Sequence, residues 1–207
     1  MQVDFYFDYT SPYSYLAHSQ LDQLMHWGAQ VNLKPVFLGG ILSTLGSTPP
    51  FRQGGQARIP YILRDLERWA ELYGVPMKFN PHFPVNSLAL LRVSPYVQAH
   101  ERMNAWMSRC FKAVWEEELN VAEEAVVRQL AEEVGLDPSA LWAAAGAPEN
   151  KAWLKGATDA AIERGVFGVP TFFVGEEQFF GNDRILFVNR LLGDLAHRAE
   201  QDRLRGE

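Results

Sequence analysis

The composition predicts a globular protein with a small-molecule partner rather than a nucleic acid or a membrane. The chain has 207 residues, of which 47% are hydrophobic, enough to bury one core with an inserted subdomain. Nineteen basic and 25 acidic residues give a net charge of −6 without a basic stripe, which disfavours nucleic acids and anionic membranes. No apolar run reaches about 18 residues and no leader-like segment is present, so we expect a cytoplasmic protein.

The first part of the chain predicts a strand, a helix and a second strand. Residues 3–7 are aromatic and branched, which is typical of a strand. Apolar residues then recur at helical spacing from Tyr13 to about Trp27. Residues 30–38 predict a second strand, which Gly39 and Gly40 end. Two strands joined by one helix make a right-handed parallel unit.

The remainder predicts a helical block followed by a hairpin. A loop rich in glycine and proline is expected over residues 46–55, and a hairpin over 171–174 and 178–180. Helices are predicted over about 59–73, 88–118, 122–134, 139–145, 149–164 and, last, 184–198. This order is typical of an α/β thioredoxin-like fold with a large all-helical insertion. We therefore divide the chain into a thioredoxin-like domain, residues 1–42 and 165–207, and an inserted helical domain, residues 43–164.

Residues 8–14 form a short polar turn between the first strand and the first helix. Thr10 or Ser11 can cap this helix, and Pro12 suits its first turn. A helix N-terminus favours an anion, and the Ser11 hydroxyl adds a donor, so the turn suits a thiolate brought by a ligand. The alternative is that Ser11 only caps the helix, because Ser-Pro pairs are common at helix starts.

Two later motifs suit a peptide-like ligand. Val169-Pro170 enters a strand, and in this topology we expect a cis bond that leaves the Val169 backbone free to pair with an extended ligand. Asp183 can accept a hydrogen bond from a ligand ammonium while the following helix N-terminus receives a carboxylate. A γ-glutamyl group carries both charges. The alternative is that Asn182 and Asp183 only cap the last helix.

Other chemistries find little support. The five histidines show no paired arrangement with cysteine or carboxylates, so no metal site is expected. Cys110 is the single cysteine and lies in an apolar helical pattern, which predicts a core residue.

Taken together, the motifs resemble those of the 2-hydroxychromene-2-carboxylate isomerase family. That family is similar to kappa-class glutathione transferases and has a DsbA-like thioredoxin fold. The resemblance is carried by residues 7–16, Gly39-Gly40-Ile41, Pro49-Pro50, Tyr61 with Asp65 and Arg68, and residues 83–86, 165–172 and 180–184. Each motif alone is weak, but their common order is fairly specific.

The resemblance implies a role for each residue of the turn and of the two later motifs. Residues 11–14 lack the Cys-x-x-Cys of related disulfide oxidoreductases, which excludes dithiol redox chemistry. Glutathione then supplies the sulfur, and Ser11 stabilises it as the thiolate. Val169, before Pro170, pairs with the cysteinyl backbone of glutathione, and Asn182 with Asp183 holds its γ-glutamyl end.

The implied reaction interconverts 2-hydroxychromene-2-carboxylate and trans-o-hydroxybenzylidenepyruvate, a step in naphthalene breakdown. The thiolate adds reversibly to the unsaturated substrate, a small aromatic carboxylate, and glutathione is not consumed. For the second substrate's pocket we name Tyr13, Phe83 and Asn86. Trp69, Phe83 and Trp115 are aromatic candidates for its wall, although each is a core residue by default.

Several alternatives stay open. The family usually has an asparagine before Pro-Pro, where this chain has Ser47 and Thr48, so one of these takes over its contact with glutathione or none does. A kappa-like transferase would consume glutathione by conjugating it to electrophiles. A non-catalytic thioredoxin-fold module would bind peptides and show no turnover. The resemblance also implies a homodimer, because members of this family usually form one.

Overall fold

A computed structural model describes residues 1–49, 51 and 55–205. Its elements are β1 (Gln2–Phe7), α1 (Pro12–His18), α2 (Asp22–Met25), β2 (Gln30–Pro35), α3 (Leu38–Thr44), α4 (Gly55–Tyr73), α5 (Leu88–Arg92), α6 (Ser94–Ala99), α7 (Met103–Trp115), α8 (Glu124–Glu133), α9 (Pro138–Gly146), α10 (Pro148–Glu163), β3 (Thr171–Val174), β4 (Glu177–Phe180) and α11 (Ile185–Arg205). A 3-10 turn, Asn182–Arg184, precedes α11. No described helix is long and apolar enough to cross a membrane.

The four strands form one mixed sheet in the order β2-β1-β3-β4. β1 pairs parallel with β2 and antiparallel with β3, and β3 forms the predicted hairpin with β4. On one face of the sheet, Phe5 stacks on Phe7 and Phe172 with ring centroids 5.3 and 5.0 Å apart. All three rings are fully buried, which explains why these strands are aromatic. The predicted thioredoxin-like core is confirmed.

The predicted helical block follows β2 and α3. Helices α4 to α10 lie between β2 and β3 in the chain, and their apolar side chains join the same core as the sheet. Cys110 is a fully buried core residue of α7, as predicted, and its thiol is free. The structure thus confirms the helical insertion, whereas the domain limits at residues 42 and 165 stay a prediction.

Two predicted boundaries near the first turn are wrong. The first helix ends at His18 rather than near Trp27, and the Ser19 hydroxyl donates to the Leu16 carbonyl at 2.7 Å where the helix stops. The second strand ends at Pro35, and Gly39 and Gly40 lie inside α3 rather than closing the strand. A Cβ at Gly39 would lie 2.7 Å from the Phe37 ring, so a larger residue there would force that ring to move.

Smaller differences concern the ends of elements. β4 begins at Glu177, one residue early, and α11 runs to Arg205 rather than ending near Arg198. The loop predicted over residues 46–55 is irregular over residues 45–49, while Pro50 and residues 52–54 lie outside the described residues. The Val169–Pro170 bond is cis as predicted, and a second cis bond, Phe83–Pro84, was not predicted.

His18 makes the stability of this fold depend on pH. Its ring stacks on Phe111 at 5.1 Å, its Nε2 lies 3.0 Å from the Ser108 hydroxyl, and burial lowers its pKa from 6.5 to about 4. Since the unfolded chain binds the proton more readily, stability is lost as the pH falls from about 6.5 to about 4. Between these pH values, we expect the free energy of unfolding of His18→Gln to fall by about 2–3 kcal/mol less than that of the wild type.

Urea unfolding of both proteins at about pH 7 and about pH 4 measures this difference. Other groups titrate equally in the two proteins, so the comparison isolates His18. Parallel pH profiles of the free energy of unfolding would contradict the prediction.

Candidate active site

Ser11 lies at the N-terminal end of α1, where the sequence places it. It is the N-cap residue, with an extended backbone, and its Oγ accepts the Ser14 N–H at 3.1 Å. Pro12 occupies the first turn, as predicted. Only 3% of Ser11 is exposed. The capping role is therefore confirmed, and any chemical role of Ser11 must coexist with it.

The Ser11 hydroxyl also reaches the strand entrance predicted to lie beside it. Its Oγ donates to the Val169 carbonyl at 3.2 Å across 158 residues of sequence. The Val169 N–H has no hydrogen-bond partner among the described residues. Val169 thus presents one free backbone donor, and an acceptor held only by a hydroxyl that can rotate. An extended peptide-like ligand needs such a pair.

The strand entrance is tied to the start of the last helix. The Gly181 N–H donates to the Pro170 carbonyl at 2.9 Å, which brings Asn182 next to the Val169-Pro170 segment. The Tyr73 hydroxyl donates to the Asn182 carbonyl at 3.3 Å. Asn182 is only 3% exposed, and its Nδ2 has no partner among the described residues. A buried amide donor without a partner is costly, and a bound acceptor would remove this cost.

Carboxylates lie on the same side as Asn182. Asp183 is partly exposed, and its carboxylate contacts the Arg184 guanidinium. The Tyr13 hydroxyl donates to the Asp65 carboxylate at 3.4 Å. Burial, followed by the charges of Asp65 and Asp183, raises the pKa of Tyr13, so its hydroxyl stays neutral. Two acidic side chains therefore border this end of the cleft and suit a ligand ammonium.

Phe83 belongs to a cluster of aromatic rings. Phe83 lies 4.8 Å from Phe51 and 4.9 Å from Phe79 between ring centroids. Trp115 lies behind them, 6.2 Å from Phe83, and is fully buried, so it is core rather than wall. Phe51 and Phe79 were missed because they lie in irregular segments without periodicity. Their proximity to proline-rich turns is the only signal in the sequence.

Three further predicted residues make contacts of their own, and their place in the site stays a prediction. Trp69 packs on Tyr73 at 5.3 Å, while Asn86 is exposed and its Oδ1 accepts the Leu88 N–H at 3.2 Å. Ser47 lies in the exposed loop after α3. Its side chain makes no hydrogen bond to Ser11 or Val169 in the described part of the chain.

A separate cavity of about 320 Å³ lies between α3, α5 and α10. Phe37, Leu88 and Arg92 are among its lining residues, and it includes neither Ser11 nor Val169. The Ser11–Val169 contact therefore does not line this cavity. No group of three or more metal-binding side chains is found in the described ranges.

A family model described as a DSBA-like thioredoxin domain matches residues 2–193. The chain belongs to the DSBA-like thioredoxin family. Within this family it is 34% identical to the 2-hydroxychromene-2-carboxylate isomerase of Pseudomonas putida, over 96% of this chain and 97% of that protein. It is 26% identical to the glutathione S-transferase kappa 1 of Rattus norvegicus, over 93% and 91% of the two chains.

A solved structure of 2-hydroxychromene-2-carboxylate isomerase superposes on this DSBA-like chain with a TM-score of 0.89. Its sequence is 33% identical, and the match covers 97% of this chain and 98% of the other. The predicted resemblance to these isomerases and the predicted DsbA-like fold are both confirmed. Identity of about one third over nearly the whole chain to proteins with this activity supports an enzyme of the isomerase type.

Proposed function

We propose that this chain is a glutathione-dependent isomerase of the 2-hydroxychromene-2-carboxylate type, acting on an unsaturated aromatic pyruvate. The observation that carries the proposal is the Ser11 hydroxyl, which caps α1 and donates to the Val169 carbonyl. It stands where related oxidoreductases have a thiol, and Cys110 is buried in α7. The reactive sulfur must therefore come with a ligand.

The residues present fit glutathione. The free Val169 N–H suits the peptide backbone of a cysteinyl residue, and the unpartnered Asn182 Nδ2 suits a carboxylate. Asp183 supplies the acceptor for an ammonium group, exchanging its contact with Arg184. One motif therefore recognises the backbone of the ligand and another its γ-glutamyl end.

Ser11 would hold the thiolate through its hydroxyl. Because Oγ accepts the Ser14 N–H, its own O–H bond is polarised and becomes a better donor. A rotation of the hydroxyl away from the Val169 carbonyl directs this donor at a sulfur anion. The same rotation frees the carbonyl to pair with the ligand backbone. A hydrogen bond to a charged group stabilises it by about 1.5–3 kcal/mol, or about one to two pKa units.

When bound, glutathione supplies a nucleophile that adds reversibly to the conjugated double bond, which becomes a single bond that can rotate before elimination restores it. Phe51, Phe79 and Phe83 lie close enough together to pack against the aromatic ring of the second substrate. Tyr13 contributes a neutral hydroxyl for its oxygen atoms. These residues orient the substrate relative to Ser11, and they take no part in bond making.

A direct test incubates the protein with trans-o-hydroxybenzylidenepyruvate, with and without glutathione. We expect interconversion only with glutathione, whose concentration stays constant. Absorbance of the thiolate against pH should also show a lowered thiol pKa in the complex. If millimolar glutathione neither binds nor supports turnover, the enzyme proposal fails and a non-catalytic peptide-binding module replaces it.

The second candidate is a kappa-like transferase, favoured by the similarity to the rat glutathione S-transferase kappa 1. It uses the same Ser11 and Val169 geometry but releases the conjugate. Equimolar loss of glutathione together with an adduct of the electrophile would identify it.

We also propose a cytoplasmic homodimer acting in aromatic breakdown, and light scattering in solution tests the dimer. Glutathione affinity of Ser47→Ala and Thr48→Ala tests whether either residue replaces the family's asparagine.

A further inference from the structure

A buried carboxylate, that of Asp8, begins the turn of residues 8–14 that contains Ser11. Asp8 is fully buried, and its Oδ1 accepts the Thr10 N–H at 3.1 Å and the Ser87 hydroxyl at 2.6 Å. Its Oδ2 accepts the Leu38 N–H at 2.8 Å. The Asp8 main-chain carbonyl also accepts the Ser11 N–H at 3.0 Å. Asp8 therefore accepts four hydrogen bonds from residues that the structure describes.

The three groups that donate to the Asp8 carboxylate belong to three different segments of the chain. Thr10 immediately precedes Ser11. Leu38 begins α3, which leads to the loop of Ser47. Ser87 lies four residues after Phe83, whose ring packs on that of Phe51. One carboxylate thus ties the thiolate end of the site to both segments that flank it.

We propose that Asp8 is a positioning residue that holds Ser11 and the two flanking segments in the geometry required for the reaction. This inference rests on the proposed function, since it assigns the role through Ser11. Asp8 is fully buried, so this role acts through Ser11 and not through a contact with a ligand. Misplacement of a reacting group by about 1 Å costs on the order of a hundredfold in rate, so a rigid anchor at this point has a direct effect on catalysis.

The chemistry of the site requires a carboxylate rather than an amide. Two of the partners are backbone N–H groups, one on each oxygen, so an asparagine in either orientation would place its NH2 group against one of them. Burial raises the pKa of Asp8 against the effect of its three side-chain hydrogen bonds. A residue that only filled this space would avoid that desolvation cost.

The test compares Asp8→Asn with Ser87→Ala and with Asp4→Asn as a matched control. Asp4 is also a hydrogen-bonded aspartate near the start of the chain, but it pairs with Arg164 and Asn32, far along the strand from Ser11. Four quantities are measured for each protein. They are the pKa of the bound glutathione thiol, kcat and KM for glutathione, and the hydrogen exchange of the Thr10 and Leu38 amides without ligand.

For Asp8→Asn we expect the thiol pKa to rise by about one unit and kcat to fall about tenfold, with KM for glutathione changed less than about threefold. Exchange of the Thr10 or Leu38 amide should accelerate about tenfold, because one of them loses its acceptor. Ser87→Ala keeps the Thr10 and Leu38 N–H bonds to Asp8. It should raise the thiol pKa by about half a unit and lower kcat about threefold. Asp4→Asn should leave all four quantities unchanged.

The outcomes separate this inference from the proposed function. If Ser11→Ala raises the thiol pKa while Asp8→Asn behaves like Asp4→Asn, Asp8 has no positioning role although the function stands. If the wild type binds no glutathione, the function fails and the positioning role with it. If Asp8→Asn does not fold, Ser87→Ala decides, and unchanged values for that variant would overturn the inference.

Discussion

Replacing Ser11 with alanine should raise the pKa of the bound glutathione thiol by about one to two units and lower turnover about 10- to 150-fold. The change removes the hydroxyl that donates to the Val169 carbonyl, and leaves a methyl group there. The thiolate then loses a hydrogen bond that the thiol does not need. Absorbance of the thiolate against pH and initial rates at saturating glutathione measure the two effects.

The same change also affects stability, and a control separates the two. Loss of the cap on the Ser14 N–H costs about 0.5–2 kcal/mol in the free energy of unfolding. Ser94→Ala is a matched control, because Ser94 is another buried serine whose hydroxyl donates to a backbone carbonyl, that of Leu91 at 2.7 Å. It should lose stability but keep its thiol pKa and turnover. Equal kinetics for wild type and Ser11→Ala would reject Ser11 as the thiolate stabiliser.

Replacing Trp115 with alanine should lower the free energy of unfolding by about 3–5 kcal/mol. Trp115 ends α7, is fully buried, and its Nε1 donates to the Tyr9 carbonyl at 2.9 Å across 106 residues. The change leaves a cavity between the helical insertion and the Ser11 turn, and it removes the partner of that carbonyl. Urea unfolding followed by far-ultraviolet circular dichroism measures the loss.

Two further variants resolve the origin of this loss. Trp153 is 37% exposed, so Trp153→Ala should cost far less than Trp115→Ala. Trp115→Phe keeps most of the packing but leaves the Tyr9 carbonyl unpaired, which should cost about 1–3 kcal/mol. Equal stability of the Trp115→Ala and Trp153→Ala proteins would show that the insertion does not support the turn.

These contacts explain how the insertion and the thioredoxin-like core act together. The Ser11 turn is held from below by Asp8, from the insertion by Trp115, and from the strand entrance by Val169. None of these contacts needs a thiol in the turn. Under the proposed function, the turn therefore keeps its geometry with a serine in place of a cysteine.

The sequence by itself was sufficient for most of the strands and helices and for the cap of the first helix, whereas the chemistry of the turn stays a prediction. The aromatic and branched residues of β1 and the helical spacing in the insertion are local patterns that reflect burial, so they predict strands and helices directly. Ser11, Pro12 and the Val169-Pro170 pair were found because capping and strand entry also depend on neighbours in the chain. The early end of the first helix was missed because apolar spacing continues past the Ser19 break.

Only the tertiary structure decided which residues meet. The Ser11–Val169, Asp8–Ser87 and Trp115–Tyr9 contacts join residues 158, 79 and 106 positions apart, and no local pattern encodes such distances. Asp8 has no sequence signal of its own, because a buried acid and an exposed one look alike in a turn. Its partners identify it, and those partners come together only when the insertion packs against the sheet.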